Sequence, residues 1–350
     1  MRVSCFVFLG LILSDVPCQS QIGRDSIHNL LRHNFSFTSA ELSAVDRGDI
    51  ITQLVQTDNP AELAVCGAAH LHVPLEFAVE QYRNVKTFKE GSVFPQTGEM
   101  SVPPRLTDFN GLTLEEEDIK ALQDCKPGDC KVKMSKAMMQ RFHTEIDWNK
   151  PDYRSQVLAF TKAMLLDLVR SYIAQGNDAL GDYDDETPSL HKADEYQEIL
   201  HENPNFFLCD SALFRYLDRF PNAPLANAED IFYWQKEVFG KIKPVFSLNH
   251  LTICTPDSNR STTLVASQQI YANHYFEVSL TITALLKDEA RSGVYVLYLN
   301  RSCFDDLRKK GIVDMRPKIR SEIYKQVQEE LRWAKGRFES LYQRKKEKDD

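Results

Sequence analysis

The chain of 350 residues lacks the motifs that most readily identify an enzyme. It has no Gly-x-Ser-x-Gly elbow, no His-Glu-x-x-His, no Walker phosphate loop and no Gly-x-Gly-x-x-Gly. It also lacks a surplus of positive charge, since 42 Lys and Arg stand against 50 Asp and Glu and the net charge is -8. Binding of nucleic acid needs a basic face for phosphate contacts. We therefore expect no nucleic-acid partner, no cofactor and no metal, and identify no catalytic residue.

The sequence also lacks an apolar run of about 20 residues, the length that crosses a membrane. The nearest approach is at the N-terminus, where Arg2 precedes a nearly apolar stretch from Val3 to Leu13. Cys18-Gln19-Ser20 then places small residues at a signal-peptidase cut before Gln21. The pattern predicts a signal peptide at residues 1–20 and an exported protein, periplasmic or extracellular, with no transmembrane span in the mature chain. A retained anchor is the alternative.

The sequence has eight cysteines, and closeness along the chain supports only one disulfide pairing. Cys5 and Cys18 lie in the predicted signal peptide. In Cys125-Lys-Pro-Gly-Asp-Cys130, Pro and Gly occupy the centre of a chain reversal, which can bring the two Cα atoms within disulfide reach. The spacing is not that of a Cys-x-x-Cys redox pair, so we predict a structural disulfide. The pairing stays open for the remaining four: Cys66, Cys209, Cys254 and Cys303.

Changes of hydrophobic period divide the rest of the chain. Residues 21–48 form a polar N-terminal lead, and residues 49–149 begin an α+β domain that contains the Cys125–Cys130 loop. Residues 150–240 are predicted to be a helical insertion, whose last helix carries an aromatic run from Ile231 to Phe239. Residues 241–345 hold antiparallel strands and the C-terminal helix.

The clearest strand runs from Phe276 to Leu286, where apolar residues alternate with Glu, Ser and Thr. Such a strand has one apolar and one hydroxyl-rich face, as in an antiparallel sheet covered on one side. Further strands are predicted at Leu63–Val73, Val245–Cys254, Thr262–Tyr271 and Gly293–Leu299. The segment from Ile319 to Leu341 has one apolar stripe, typical of a helix that packs against a sheet.

This order of elements resembles the helix-grip fold of the START and SRPBCC superfamily. A strand and short helix come first, followed by consecutive antiparallel strands and one long helix. The resemblance covers residues 51–84 and 244–341 and carries no residue motif. It implies an α+β fold in which a curled antiparallel sheet packs on the long C-terminal helix, with an apolar cavity between them and the helical insertion outside this frame.

The resemblance further implies that the protein, exported according to its N-terminal pattern, binds or carries a small apolar ligand or lipid in that cavity. The apolar face of the 276–286 strand needs a cover and the helix has a matching stripe, so these elements are expected to line it. The predicted lining residues are Phe276, Val278, Leu280, Ile282, Tyr295, Leu297, Ile323, Val327 and Leu331. Aromatic residues from Phe232 to Trp234 are expected to form a lid.

Two other functional classes stay open. One is an enzyme of cyclase or hydrolase type that uses polar groups in the same cavity. The other is a structural or interaction protein of the envelope, with an unidentified protein partner. His70 and His72, with His250 and His274, were considered as metal ligands, but a complete ligand set cannot be named. Hydrogen-bonded sheet histidines are the ordinary alternative.

Overall fold

The computed structural model describes residues 24–91, 93–201, 211–238, 242–256, 261–308 and 316–349. The predicted signal peptide at residues 1–20 and Cys209 lie outside the described residues. Among the helices of the described segments, none combines the length and apolar character needed to cross a membrane.

One large antiparallel sheet organises the molecule. Its strands are β1 (Ile51–Val55), β2 (Glu62–Leu71), β3 (Gln96–Glu99), β6 (Glu229–Glu237), β7 (Val245–Cys254), β8 (Thr262–Ala272), β9 (Phe276–Lys287) and β10 (Val294–Phe304), while β4 (Asp182–Tyr183) and β5 (Leu190–His191) form a separate pair. The order across the large sheet is β1-β2-β10-β9-β8-β7-β6-β3. Strands β6 to β10 form a meander, in which each strand pairs with the next one in sequence. Strand β2 pairs with β10.

The helices cover both sides of this sheet. They are α1 (Arg24–Phe35), α2 (Ser39–Asp46), α3 (Leu75–Arg83), α4 (Val85–Phe88), α5 (Glu116–Asp124), α6 (Lys136–Glu145), α7 (Tyr153–Gln175), α8 (Lys192–His201), α9 (Ser211–Arg219), α10 (Asp305–Arg308) and α11 (Arg316–Asp349). The prediction of an α+β fold with a large antiparallel sheet and a long C-terminal helix is confirmed.

The prediction of a helix at the aromatic run was wrong, because residues 231–237 of this run lie in strand β6. Phe239 lies outside the described residues. Phe232 and Trp234 belong to one apolar cluster and Ile231 and Tyr233 to another, as expected when successive side chains point to opposite faces. Aromatic and β-branched residues also favour strands. The aromatic run therefore forms no lid, and the segment 150–240 contributes a strand to the main sheet.

The expectation that the sheet is covered on one side was also wrong. We call first face the side of the sheet that carries Val278, Leu280 and Ile282, and second face the side that carries Ser279 and Thr281. Helices α7, α8 and α9 pack on the first face, and α1 and α2 cover its end at β2 and β10. Helices α3, α4 and α11 cover the second face.

Helix α11 is held on the second face by apolar and polar contacts. Its predicted stripe, which includes Ile323, Val327 and Phe338, packs against the sheet. The Tyr324 hydroxyl donates to the Thr52 carbonyl oxygen at 2.7 Å, and Lys335 Nζ donates to the His70 carbonyl oxygen at 3.1 Å. The helix is thus fixed along its length by strands β1 and β2.

The Cys125–Cys130 loop closes as predicted. The two Cα atoms lie 4.5 Å apart and the sulfur atoms are at disulfide distance. Gly128 has φ +80°, a left-handed conformation that glycine adopts without the steric cost of a Cβ. Gly128 N donates to the Asp184 carbonyl oxygen at 2.7 Å, so the loop packs on the acidic segment before β5.

Candidate functional site

A cavity of about 370 Å³ lies between the second face of the sheet and helix α11. A smaller space of about 150 Å³ adjoins it toward helices α3 and α4. Six residues line both spaces, namely Lys89, Tyr233, Ser267, Thr281, Tyr298 and Glu330. We call the larger space the polar chamber and the smaller one the apolar chamber.

The sheet register explains why the polar chamber is polar. Asn300 of β10 stands opposite Thr281 of β9, and Thr281 stands opposite Ser267 of β8. Farther along the sheet, Asn249 of β7 lies between Tyr233 and Gln269. Because cross-strand partners point to the same face, five strands place a continuous band of hydroxyl and amide groups under α11.

Several of these groups bond to one another. Asn300 Nδ2 donates to Thr281 Oγ1 at 2.9 Å, and the hydroxyls of Tyr233 and Ser267 lie 3.3 Å apart. The side-chain amide of Gln235 donates to the Glu237 carboxylate. These contacts orient the side chains before any ligand enters.

Two buried acceptors of the polar chamber have no partner among the described residues. They are the side-chain oxygens of Gln235 and Gln269. Leaving a buried acceptor without a hydrogen bond costs about 1–3 kcal/mol. The chamber therefore offers hydrogen-bond acceptors to whatever occupies it, whether water or a larger molecule.

Three ionisable side chains, Lys89, Glu237 and Glu330, face one another across the chamber. Burial and the nearby Glu330 raise the pKa of Glu237 to about 8, so this carboxyl holds its proton at neutral pH. Burial opposes the charge of Lys89, yet Tyr233, Glu237 and Glu330 raise the pKa of Lys89 above its usual value. The Lys89 ammonium lies 4.1 Å from the ring centre of Phe94. The interior thus holds two acids and one cation.

The apolar chamber has the opposite character. The rings of Phe88 and Phe338 pack with their centres 4.6 Å apart, and Trp333 lies 5.7 Å from Phe88. Aliphatic side chains from four strands complete the wall, and Leu331 of α11 closes it. The combined site has a polar and an apolar end.

The structure separates the predicted cavity residues into two groups. Phe276, Ile323 and Val327 line the polar chamber, and Leu331 lines the apolar chamber. These four therefore face the space between the sheet and α11.

The other five predicted lining residues lie on the opposite side of the sheet, which corrects that part of the prediction. Val278, Leu280 and Ile282 pack in the cluster that contains α7, α8 and α9. Tyr295 and Leu297 pack against α1 and α2. The apolar face of β9 does find a helical cover, but that cover is the block before β6, not α11.

The polar lining residues were missed at the sequence level. A signal for them was present in the Ser and Thr that alternate along β9, but that pattern is equally typical of a strand face exposed to water. Gln235 and Glu237 were hidden in the segment predicted to be helical. Only the sheet register shows that these groups share one chamber.

The four histidines considered as metal ligands each lie beside a different carboxylate. His70 Nε2 is 3.0 Å from Asp288, and His250 Nε2 is 2.8 Å from Asp230. His72 lies 3.4 Å from Glu339 and His274 lies 3.0 Å from Asp118. These distances are those of His–carboxylate hydrogen bonds, the ordinary alternative.

The first face contains a chain of polar groups that resembles a catalytic constellation. The Tyr172 hydroxyl lies 3.0 Å from His250 Nδ1, and His250 in turn contacts Asp230. However, Tyr172 is 0% exposed and packs between Phe220 and Phe232. We interpret the chain as a structural link that holds α7 on the sheet.

A more open cleft of about 460 Å³ lies near β4 and β5. Its charges largely pair with each other. Lys133 Nζ lies 2.6 Å from Asp305 and 3.6 Å from Asp185. Arg308 contacts Glu277 and Glu195, each at 2.8 Å. This pairing favours a structural role for the cleft, and the chambers under α11 are the stronger candidate.

Comparison of the chain with known proteins gave no matching family model, no similar curated protein and no similar solved structure.

Proposed function

We propose that this protein binds or carries a small amphipathic molecule in the two chambers between the sheet and α11. The volume of the polar chamber falls within the range of about 300–1,000 Å³ that is usual for small-molecule sites. Such sites combine apolar walls with a few placed polar groups. The observation that carries the proposal is the pair of buried, unpartnered amide oxygens of Gln235 and Gln269.

The proposal includes the helix-grip arrangement. A strand, two short helices, a run of antiparallel strands and a long helix over one face follow one another in β2, α3, α4, β6 to β10 and α11. The position of the chambers, between the sheet and the long helix, is the position where the helix-grip resemblance implies a cavity. This agreement supports the ligand-binding class over the class of structural or interaction proteins.

One observation favours an enzyme as the second candidate. A buried carboxyl whose pKa is near 8 is typical of groups that transfer protons at neutral pH, and Glu237 is such a group in the polar chamber. An enzyme would change the mass of the bound molecule with time. A binding protein would release it unchanged after denaturation.

A neutral dye whose fluorescence rises in apolar surroundings tests the proposal. Ser267 lines both chambers, so Ser267→Phe should fill their junction and abolish dye uptake. Ser267→Ala leaves the space open and should retain uptake. A second filling variant, Thr281→Phe with Thr281→Val as its control, repeats the test if the first does not fold. Equal dye uptake by the filled and open variants would contradict the proposal.

Export is part of the proposal. The signal-like pattern of the first twenty residues and the disulfide-distance pair Cys125 and Cys130 support it, since disulfides persist in oxidising compartments. N-terminal sequencing of the protein from its native source should find Gln21 first. A cytoplasmic protein with an intact N-terminus would contradict export and leave the ligand proposal standing.

A further inference from the structure

The charges and acceptors of the polar chamber define the chemistry of its occupant. The inference rests on the proposed ligand-binding function and adds the nature of the polar end of the ligand. Inside the chamber, Glu237 is 9% exposed, and Glu330 and Lys89 are half-buried. In the buried part of the chamber two carboxyl groups thus face a single cation, while Asp306, Lys318 and Glu322 also line the chamber but are exposed. One further positive charge would balance the set when both acids are ionised.

The nitrogen of the Gln235 side-chain amide contacts a Glu237 carboxyl oxygen, and the amide oxygen has no partner among the described residues. Gln235 is 5% exposed. Its oxygen and the Gln269 oxygen both accept hydrogen bonds, so an occupant that carries donors fits them. A carboxylate or phosphate group has only acceptors there and would repel the two acids.

We propose that the polar chamber binds the protonated amine of a cationic amphipathic molecule, whose hydrocarbon part occupies the apolar chamber. The ammonium donates to the Gln235 and Gln269 oxygens and pairs with Glu237 and Glu330. Phe88, Trp333 and Phe338 pack on the hydrocarbon part. The Lys89 ammonium keeps its cation–π contacts with the rings of Phe94 and Tyr233 and repels the ligand ammonium from one side of the chamber.

Binding is coupled to the loss of one proton. The Glu237 carboxyl, protonated in the empty chamber, ionises when the ammonium replaces its proton. The affinity for the amine therefore rises with pH, by about tenfold per unit at most, between pH 6 and the Glu237 pKa of about 8. The other titratable groups that line this chamber are Lys89, Tyr233, Tyr275, Tyr298, Asp306, Lys318, Glu322 and Glu330.

The test is displacement of the neutral dye by three molecules with the same chain: decylamine, decanol and decanoate, each below its micelle concentration. At pH 8, decylamine should displace the dye at a concentration at least tenfold lower than decanol, and decanoate should be weakest. A decanoate affinity equal to or above that of decylamine, or no displacement by any of the three, would overturn the inference. If the dye itself fails to bind, the proposed function fails instead.

Four single variants test which side chains bind or repel the amine. Glu237→Gln should weaken decylamine about tenfold at pH 8 and remove the pH dependence, while decanol binding is unchanged. Glu330→Gln should weaken decylamine, whereas Glu329→Gln, the exposed neighbour on the same helix, should not. Lys89→Met should strengthen decylamine binding, a gain that a purely structural role would not produce. Unchanged decylamine binding in Glu330→Gln and Lys89→Met would overturn the inference even if Glu237→Gln did not fold.

Discussion

The two faces of the sheet differ although the same strands form both. On β9, Val278, Leu280 and Ile282 point to the first face and are buried in a continuous apolar core. Ser279 and Thr281 point to the second face, where α11 covers them without filling the space. Close packing is reached where apolar side chains from both sides interdigitate. A helix that carries Glu and Gln over a hydroxyl-rich face leaves a chamber.

The faces also differ in how they treat buried charge. On the first face, Arg301 pairs with Glu62 through two hydrogen bonds, and Arg301 Nη1 donates to the Ile199 carbonyl oxygen. On the second face, the Gln235 and Gln269 oxygens have no partner among the described residues. The Tyr196 hydroxyl on the first face also has no partner among the described residues, but it lies in an apolar cluster and lines neither chamber, whereas the Gln235 and Gln269 oxygens line the polar chamber.

The largest expected effect comes from breaking the charge pair of the first face. Arg301→Met removes the guanidinium partner of Glu62, which is 1% exposed. We expect a loss of about 3–5 kcal/mol in the free energy of unfolding, measured by urea denaturation at pH 7. The double variant with Glu62→Gln should recover much of the loss. A loss below 1 kcal/mol would show that this pair is solvated.

Neighbouring residues on β9 give the sharpest comparison of the two faces. Ile282→Ala should cost about 2–5 kcal/mol, because it opens a hole in a close-packed core. Thr281→Ala, on the second face, removes a partner of Asn300 but leaves no new packed void, and should cost about 1 kcal/mol. Equal costs by the same denaturation measurement would contradict the distinction between the faces.

Loss of the Cys125–Cys130 pair serves as a change distant from both faces. The double variant Cys125→Ser with Cys130→Ser should destabilise the region of α5 and α6 by about 2 kcal/mol in the chain-entropy model of so short a ring. Hydrogen exchange should quicken in α5 and α6 and stay unchanged in β7 to β10. Faster exchange throughout the sheet would show that this region supports both faces.

The last prediction concerns the pH dependence of stability. The Glu237 pKa is about 8 in the folded chain against 4.5 for the ordinary carboxyl. The folded state therefore retains a proton that the unfolded state loses, so stability falls as pH rises from about 4.5 to about 8. The slope is at most about 1.4 kcal/mol per pH unit. Glu237→Gln should flatten the profile measured by urea titrations, and an unaltered slope would refute the assignment.

Much of the fold could be predicted from periodicity. The strict alternation of β9 and the apolar stripe of α11 each locate an element and its apolar side. They do not show whether the apolar side of β9 contacts the apolar side of α11. The structure brings the apolar side of β9 to α7 and the polar side to α11, because the covering helices are selected by tertiary packing. The pattern of a single strand therefore could not predict which face of the sheet forms a site.

The prediction for the β6 region was wrong for a different reason. A run such as Ile231-Phe-Tyr-Trp234 is apolar at every position, so it shows neither the period of a helix nor that of a strand. Its strand character follows from pairing with β3 and β7, which are distant or later in sequence. Gln235 and Glu237, the key groups of the polar chamber, were lost with it.

Native mass spectrometry of the protein isolated from its own source tests the proposed binding site most directly. We expect an added mass that is released on denaturation, that is present in wild type and Ser267→Ala, and that is missing from Ser267→Phe. The released molecule should carry an amine and a hydrocarbon part. A ligand-free mass for wild type, together with no uptake of the neutral dye, would contradict the claim that the second face encloses a binding site.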